Sequence, residues 1–323
     1  MHSVPGAGFA HEPVLRGPVV ELFRGVPAGT FVDLTLGGAG HARALLEAHP
    51  GLRLLGIDRD PSAVEAARRA LAPFGDRARV VHARSDELTA VLEAEGRDDV
   101  SAVLADLGVS SPQVDQADRG FSYRDDRSGP IDMRMDPTSG RPASELLNHA
   151  SEADLRQILR DFADERHAGR IAAAIVAARP VHTTAELAEI VRSAVPAPAR
   201  RRGGDPAKRT FQALRIAVND ELDVLDRTLD QVLDALVVGG RVAVISYHSG
   251  EDRIVKVRFR TATDGGCACP PGLPCACGAV AIARPLGRRA VTAGPDERAR
   301  NPRAASARLR AVEKIDPIPV RSS

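Results

Sequence analysis

The stretch FVDLTLGGAGHARALL, residues 31–46, decides the fold of this chain. Residues 31–34 are mostly apolar and predict a buried strand, three glycines follow at positions 37, 38 and 40, and a helical pattern opens near His41. A strand, a glycine-rich turn and a helix in this order commonly hold a nucleotide-like cofactor. The glycine spacing differs from the dinucleotide fingerprint, and no P-loop motif occurs, so the pattern argues against NAD and against a P-loop nucleoside triphosphatase.

The first third of the chain repeats this alternation. Short apolar runs predict strands at 30–36, 53–60, 78–84 and 100–108, with helical patterns at 39–49, 61–74 and 86–95. Asp60 and Pro61 supply an N-cap and a first helical residue for the second of these helices. Strands separated by helices indicate βαβ units with right-handed crossovers. We therefore expect an α/β fold with a doubly wound, mostly parallel, Rossmann-like sheet.

The alternation stops after the fourth strand. Residues 113–142 are polar and rich in turn formers, and only helical patterns follow, two of them opened by capping boxes at Ser151 and Thr183. An amphipathic pattern then runs from 211 to 236, a buried strand is predicted at 237–249, and an alternating stretch at 306–315 predicts a late, antiparallel strand. These patterns divide the chain into a first part of the α/β domain (1–138), a helical insertion for substrate recognition (139–210) and a second part of the α/β domain (211–323).

Composition and charge narrow the class of protein. The 323 residues are 43% hydrophobic and 27% charged, as expected for a soluble globular protein. No apolar run approaches the roughly 20 residues that span a bilayer, and the N-terminal stretch lacks the basic and apolar regions of a secretory signal, so we expect a cytoplasmic protein without a membrane partner.

The net charge of +1 conceals two basic clusters, each of which could contact a phosphate backbone or could simply be solvated surface. The first cluster consists of Arg200, Arg201, Arg202, Lys208 and Arg209, and the second of Arg284, Arg288, Arg289, Arg298, Arg300, Arg303, Arg308 and Arg310.

Two carboxylates follow predicted strands and join the glycine turn at one edge of the sheet. Asp58 ends the second strand, where a carboxylate can accept both hydroxyls of a ribose, and Asp106 ends the fourth. A glycine turn without the pyrophosphate fingerprint, next to a ribose-binding aspartate, fits S-adenosylmethionine better than NAD.

Seven sequence blocks carry a resemblance to a known family. They are HEPVL (11–15), LGGAGH (36–41), GIDRDP (56–61), DLGVSSPQ (106–113), RGFSYRDDRSGPIDMRMDP (119–137), RTFQALRIAVNDEL (209–222) and SYHSGEDRIVK (246–256). Together they resemble the bacterial small-subunit ribosomal RNA cytosine-N4 methyltransferases, the MraW family. The resemblance implies a class I S-adenosylmethionine-dependent methyltransferase fold, with S-adenosylmethionine as cofactor. It further implies N4 methylation of a cytidine in the decoding region of 16S ribosomal RNA.

The resemblance also assigns cofactor contacts and partners. The contacts fall on Ala39, Gly40, His41, Asp58, Ser85, Asp106 and Gln113. A serine at position 85 departs from the aromatic residue that the family often has there, and it cannot stack on adenine. The expected partner is small-subunit ribosomal RNA, either naked or within an assembled subunit, and a homodimer is left open.

The chemistry expected at this edge is methylation of an amine. A cytosine amine is a weak nucleophile, so a hydrogen-bond acceptor such as Asp106 would help it, or Asp106 could bind the cofactor alone. Ser246 and His248 follow the resumed strand and are further catalytic candidates, Tyr247 could stack on an extruded base, and His248 could equally be structural. Methylation at ring C5 would require a cysteine nucleophile, and none follows the fourth strand.

All four cysteines, Cys267, Cys269, Cys275 and Cys277, fall in one Gly/Pro-rich loop. Two C-x-C pairs allow a zinc site but depart from the commoner C-x₂-C spacing, so no metal ligand is assigned, and a disulfide is disfavoured in a reducing compartment. Two other functions stay open from the sequence. They are a methyltransferase for another substrate and a non-enzymatic ribosome-binding factor with a zinc loop.

Overall fold

A computed structural model describes residues 12–198, 204–270 and 276–320 of the chain. The predictions made for the N-terminal stretch up to residue 11, for Arg200, Arg201 and Arg202, and for Cys275 lie outside the described residues. Within the described ranges, no helix is both long enough and apolar enough to cross a membrane.

The strands alternate with helices in the first half of the chain, as the sequence predicts. The strands are β1 (Gly29–Asp33), β2 (Leu52–Asp58), β3 (Ala78–His82), β4 (Val100–Asp106), β5 (Leu236–Ser246), β6 (Val280–Pro285) and β7 (Arg308–Pro319). The helices of this half are α1 (Arg16–Phe23), α2 (Gly40–Ala48), α3 (Pro61–Leu71), α4 (Leu88–Ala94) and α5 (Ser111–Asp115). Asp60 caps α3 by accepting the amide N–H of Ser62, with Pro61 at the first helical position.

The described strands form one seven-stranded sheet in the order β3-β2-β1-β4-β5-β7-β6. The pairings from β3 to β5 are parallel, whereas β7 is antiparallel to both β5 and β6. The order runs outward from β1 in both directions, which is the doubly wound arrangement that the sequence predicts. The α/β, mostly parallel fold class is therefore confirmed.

Alternate residues along the strands face two separate hydrophobic cores. Phe31 packs with α1, α2 and α3 on one face of the sheet, and its neighbour Val32 packs with α4 and two later helices on the other. Because both faces are covered, the central strands read as continuous apolar runs in the sequence.

The later helices are numbered α6 to α13, and the first five of them form a third core. They are α6 (Ala143–His149), α7 (Glu152–Ala163), α8 (Ala168–Ala177), α9 (Thr184–Ala194), α10 (Ala207–Asn219), α11 (Glu221–Ala235), α12 (Ser249–Asp264) and α13 (Pro295–Arg300). Buried residues of α6 to α10 pack together in this core, with Phe121, Ile131 and Met133 from the preceding polar segment. The predicted caps are confirmed, since Ser151 accepts the N–H of Asp154 and Thr183 that of Glu186.

Several predicted element boundaries differ from the observed ones, for physical reasons. The amphipathic pattern at 211–236 is two helices, because Asp220 adopts a left-handed conformation (φ 51°) between α10 and α11. The strand predicted at 237–249 ends at Ser246, because His248 caps α12. The predicted strands 30–36 and 100–108 end at Asp33 and Asp106, where loops begin. Five further described elements, α1, α5, α12, β6 and α13, have no counterpart among the sequence predictions.

The topology positions one edge of the sheet for function. Since β1 to β5 are parallel, their carboxyl ends meet at one edge, which we call the carboxyl edge, and the opposite edge is the amino edge. Asp33, Asp58 and Asp106 end three of these strands. The structure thus brings Asp58 and Asp106, the two carboxylates singled out in the sequence, to a common edge, and places Asp33 beside them.

Candidate active site

The glycine turn between β1 and α2 brings its backbone close to the N-terminal segment. Ala39 adopts a left-handed conformation (φ 62°), and its N–H donates to the carbonyl of Leu36 at 2.7 Å. A Cβ placed on Gly40 would lie only 2.6 Å from Cγ of Pro13. A glycine is therefore required at position 40 for the chain to pass this close to a proline ring.

Asp58 joins the second strand to the glycine turn. One carboxylate oxygen accepts the N–H of Gly37 at 2.8 Å, and the other accepts the N–H of Asp60 at 2.8 Å. Burial raises the pKa of Asp58, while these two backbone hydrogen bonds act in the opposite direction. The carboxylate is held in one orientation and keeps lone pairs for further donors.

Asp106 is the centre of a small polar cluster at the carboxyl edge. Its Oδ1 accepts a 2.7 Å hydrogen bond from the phenol of Tyr247, and its Oδ2 lies 3.5 Å from Nε2 of His41. Its own N–H donates to Oγ1 of Thr35 at 2.6 Å. A quarter of the Asp106 side chain stays exposed. The carboxylate is thus oriented by three neighbouring elements and still reachable from outside.

Asp33 lies beneath this cluster and is 2% exposed. Burial raises its pKa from 3.8 to about 7, and the nearby His41 partly opposes the shift. Its Oδ1 accepts the N–H of Thr35 at 3.2 Å. A carboxyl group with a pKa raised to about 7 therefore sits next to His41 and Asp106 at the carboxyl edge.

The turn that carries Tyr247 is fixed by Glu251. One oxygen of Glu251 accepts the N–H groups of Tyr247 and His248 at 2.8 and 3.2 Å, and the other lies 3.1 Å from Nε2 of His248. Burial alone would raise the pKa of Glu251, but His248 and Arg215 outweigh it and lower the pKa. His248 is therefore engaged at the start of α12, which favours a structural role for its ring.

The sequence model of the MraW methylase family matches residues 8–315. This chain belongs to the MraW methylase family. It is therefore a methyltransferase that uses S-adenosylmethionine, as the sequence predicts. The relatives are close over nearly their whole length.

A protein from Heliobacterium modesticaldum is 49% identical over 313 residues, covering 95% of this chain and 99% of the relative. One from Thermobifida fusca is 51% identical over 318 residues, covering 94% and 93%. Both carry the name "Ribosomal RNA small subunit methyltransferase H". The match thus extends from the glycine turn through the helical segment to the last strand.

The side chains of three predicted site residues of this methylase form hydrogen bonds with neighbouring protein groups. Gln113 is buried, accepts the N–H of Ser110 and donates to Asp60 at 2.9 Å. Ser85 opens a short 3₁₀ turn, and its hydroxyl accepts a hydrogen bond from Thr228. Ser246 is 2% exposed, and its hydroxyl donates to the carbonyl of Arg308 on β7. These contacts favour positioning roles for all three side chains.

Sequence reasoning assigned no role to Arg119 or Asn219, which tie residues 133–135 to Asp60 and to the end of α10. The guanidinium of Arg119 donates to Asp60 at 2.9 Å and to the carbonyls of Arg134 and Met135. Asn219 accepts the N–H of Met135 and donates to the carbonyl of Met133. Both residues lie within blocks that carry the family resemblance, which is the signal that could have identified them.

The donors and acceptors at the carboxyl edge fit S-adenosylmethionine. Neither ring nitrogen of the buried His41 has a hydrogen-bond partner among the described residues. Asp58 and Asp106 present carboxylates to the same edge, suited to ribose hydroxyls and to a sulfonium cation. The turn at Ala39 and Gly40 brings backbone rather than side chains to this edge. His41, Asp58, Asp106 and the turn are therefore the residues that would hold the cofactor.

Proposed function

We propose that this chain methylates N4 of a cytidine in the decoding region of small-subunit (16S) ribosomal RNA. The observation that carries the proposal is the oriented carboxylate of Asp106, held by Tyr247 and facing His41 at the carboxyl edge. The names of the Heliobacterium and Thermobifida relatives support the RNA substrate. The resemblance of the seven sequence blocks supports the N4 position.

The positions of the cysteines favour an exocyclic amine over ring C5. Attack at C6 of the base would need a thiolate at the carboxyl edge. The cysteines that the structure describes, Cys267, Cys269 and Cys277, lie instead in the loop between α12 and β6. Because α12 starts after the carboxyl end of β5 and β6 runs parallel to β5, this loop is at the amino edge. The side chains at the carboxyl edge therefore suit N-methylation.

Asp106 accepts an N–H of the target amine and so draws the nitrogen lone pair out of conjugation with the ring. S-adenosylmethionine, when bound, supplies an activated methyl group on a sulfonium. Tyr247 holds the Asp106 carboxylate in place, and Thr35 holds the Asp106 backbone N–H. Because the carboxylate is already oriented, the site does not have to rearrange during the reaction. The amine must lose a proton as it gains the methyl group, and the Asp106 carboxylate that accepts its N–H is the group placed to receive that proton.

We assign Tyr247 a role different from the base stacking that the sequence analysis considered. Its hydroxyl is engaged by Asp106, and its ring packs beside Gly108, where a Cβ would lie 3.4 Å from Cδ2. Burial raises the pKa of the phenol above its ordinary value, with the Asp106 charge acting in the same direction. Tyr247 therefore acts as a neutral hydrogen-bond donor that clamps Asp106.

Exposed arginines at the carboxyl edge provide the RNA contact. The segment between β6 and β7 crosses this edge, because Arg308 at the start of β7 pairs with Ser246 at the end of β5. Four exposed arginines of this segment form no ion pair with any described residue: Arg288, Arg289, Arg298 and Arg300. In contrast, Arg308 and Arg310 pair with Asp252. The four unpaired arginines are the better candidates for phosphate contacts.

The test compares 16S ribosomal RNA from a strain lacking this protein with RNA from strains that express the wild type, Asp106→Ala or Asp76→Ala. Mass spectrometry of nucleosides should find N4-methylated cytidine with the wild type and with Asp76→Ala, an exposed carboxylate shortly before β3, but not with Asp106→Ala. Calorimetry with S-adenosylmethionine separates cofactor binding from transfer. Unchanged cytidine methylation in the deletion strain would refute the proposal.

A further inference from the structure

The loop between α12 and β6 gathers cysteine sulfurs at the amino edge, away from the methyl-transfer residues. The Sγ atoms of Cys267, Cys269 and Cys277 all lie within 4.8 Å of one another. Cys275 lies outside the described residues. Sγ of Cys277 donates a weak hydrogen bond to Sγ of Cys267, and three thiols placed in this way also match the ligand set of a thiophilic metal ion.

The distance between two of these sulfurs fits metal coordination and not a disulfide. Sγ of Cys267 and Sγ of Cys277 are 3.7 Å apart. A disulfide bond would bring them to about 2.05 Å. In a tetrahedral zinc thiolate with bonds of about 2.3 Å, neighbouring sulfurs are about 3.8 Å apart. The observed separation excludes a disulfide between these two sulfurs and is compatible with two thiolates on one zinc ion.

The local backbone already has the form of a metal-binding loop. The N–H of Cys267 donates to the carbonyl of Asp264 at the end of α12, which turns the chain back toward the sulfurs. Gly278, directly after Cys277, has φ 72°, a conformation that glycine adopts without strain. Backbone N–H groups of Ala276 and Cys277 donate to the Cys269 sulfur. Such N–H···S hydrogen bonds support thiolate ligands.

The described residues of this loop, up to 270 and from 276, bury little apolar surface. Ala268 and Ala276 are exposed, and Ala279, next to β6, is the first buried residue after the cysteines. The loop nevertheless has to join α12 to β6, the edge strand of the sheet. A segment that cannot bury a core of its own is commonly held by a metal or a disulfide.

We propose that Cys267, Cys269 and Cys277 bind a structural zinc ion that fastens this loop at the amino edge of the sheet. The site takes a divalent, thiophilic cation. It is separate from the methyl-transfer site, because the loop and Asp106 lie at opposite edges of the sheet. Its part is to stabilise the junction of α12 with the β6–β7 hairpin.

The decisive experiment measures metal on the full chain, purified under reducing conditions, incubated with zinc and dialysed. Mass spectrometry of the metal content should find about one zinc per wild-type chain and none above background in the triple variant Cys267→Ser, Cys269→Ser, Cys277→Ser. The matched control Ala268→Ser, Ala276→Ser changes exposed residues of the same loop and should keep its zinc. Absence of zinc from the wild type, or equal zinc in the triple variant, would overturn the proposal.

A second measurement keeps the proposal testable if the triple variant folds poorly. Cobalt added to the metal-free wild type should give the visible absorption bands of a tetrahedral thiolate complex, and zinc should displace them. A disulfide would instead appear as a loss of two titratable thiols in the unreduced wild type, and that result would overturn the zinc assignment. Methyl transfer is read separately, so a failure of the zinc site leaves the proposed function unaffected.

Discussion

The phenol of Tyr247 donates a 2.7 Å hydrogen bond to Oδ1 of Asp106, and this bond joins the carboxyl ends of two neighbouring strands. The turn behind Tyr247 is held by Glu251, which accepts the N–H groups of Tyr247 and His248. Asp106 is therefore positioned from two sides, by its own strand and by the turn after β5. This arrangement makes the orientation of one carboxylate depend on the start of α12.

Replacing Tyr247 with phenylalanine should slow methyl transfer more than it weakens cofactor binding, because Asp58 and the glycine turn still hold the cofactor. The substitution keeps the ring beside Gly108 and removes only the hydroxyl. A hydrogen bond to a charged group is worth about 1.5–3 kcal/mol, which corresponds to about a 10- to 100-fold loss in kcat. Single-turnover rates with bound cofactor and calorimetry with S-adenosylmethionine measure the two effects separately.

The only other tyrosine of the chain supplies the control for this experiment. Tyr123 packs edge-on against Phe211 in the helical core, so Tyr123→Phe retains that contact and should leave the rate unchanged. An equal rate for Tyr247→Phe and the wild type would show that Asp106 does not depend on the hydrogen bond.

The buried carboxyl group of Asp33 should make stability depend on pH. Its folded-state pKa of about 7 lies above its ordinary value of 3.8, because burial disfavours the charged form. Between these two values the unfolded chain loses a proton that the folded chain keeps, so stability falls as pH rises, by up to about 1.4 kcal/mol per pH unit. The contribution is complete below about pH 4 and is gone above about pH 7.

Asp33→Asn removes this titration and keeps an oxygen for the N–H of Thr35. Urea unfolding between about pH 4 and pH 8 should therefore give a flatter stability curve for Asp33→Asn than for the wild type. Relative to the wild type, the variant should gain stability as pH rises. The exposed residue Asp76, changed to asparagine, serves as the control. Parallel curves for Asp33→Asn and the wild type would contradict the raised pKa.

The sequence predicts the sheet well because a parallel sheet covered on both faces leaves continuous apolar runs. It does not predict α12, because only a narrow stripe of this helix is buried, at Val255, Phe259 and Ala262, among charged residues. It does not reveal the break at Asp220 either, because the apolar spacing continues from α10 into α11. Backbone breaks of this kind depend on tertiary packing.

The carboxylates of the site could be found from the sequence, because parallel strands bring their carboxyl ends to one edge. The partners of these carboxylates could not. The contact of Arg119 with Asp60 spans 59 residues, and that of Asn219 with Met133 spans 86. The clamp of Tyr247 on Asp106 depends on the register that places Asp106 beside Ile245. Contacts between residues so far apart in the sequence form only in the packed structure, so the sequence pattern does not reveal them.

Asp58→Ala should weaken the binding of S-adenosylmethionine about 10- to 100-fold. The carboxylate is aligned by the N–H groups of Gly37 and Asp60, and we expect it to accept hydroxyls of the cofactor ribose. Calorimetry measures the affinity, and circular dichroism checks the fold. Asp99→Ala is the control, since Asp99 bonds Thr30 at the amino edge and should not affect binding. Unchanged affinity in Asp58→Ala would place the ribose elsewhere.

The unpaired arginines should contribute salt-dependent RNA affinity. Arg288 and Arg289 are exposed and lie on the segment that crosses the carboxyl edge. The double change to glutamine should weaken binding to a 16S fragment. It should also reduce the slope of log affinity against log salt by roughly 0.7 for each phosphate that the variant no longer neutralises. Filter binding over a salt series measures this slope.

The matched control for the arginines is a second pair at the opposite edge of the sheet. Arg53 lies at the start of β2, and Arg97 shortly precedes β4, so both are at the amino edge. The double change of Arg53 and Arg97 to glutamine removes the same charge from the chain. If charge alone governed binding, both double variants would lose affinity equally. A loss confined to the Arg288 and Arg289 variant would locate the RNA at the carboxyl edge, next to Asp106.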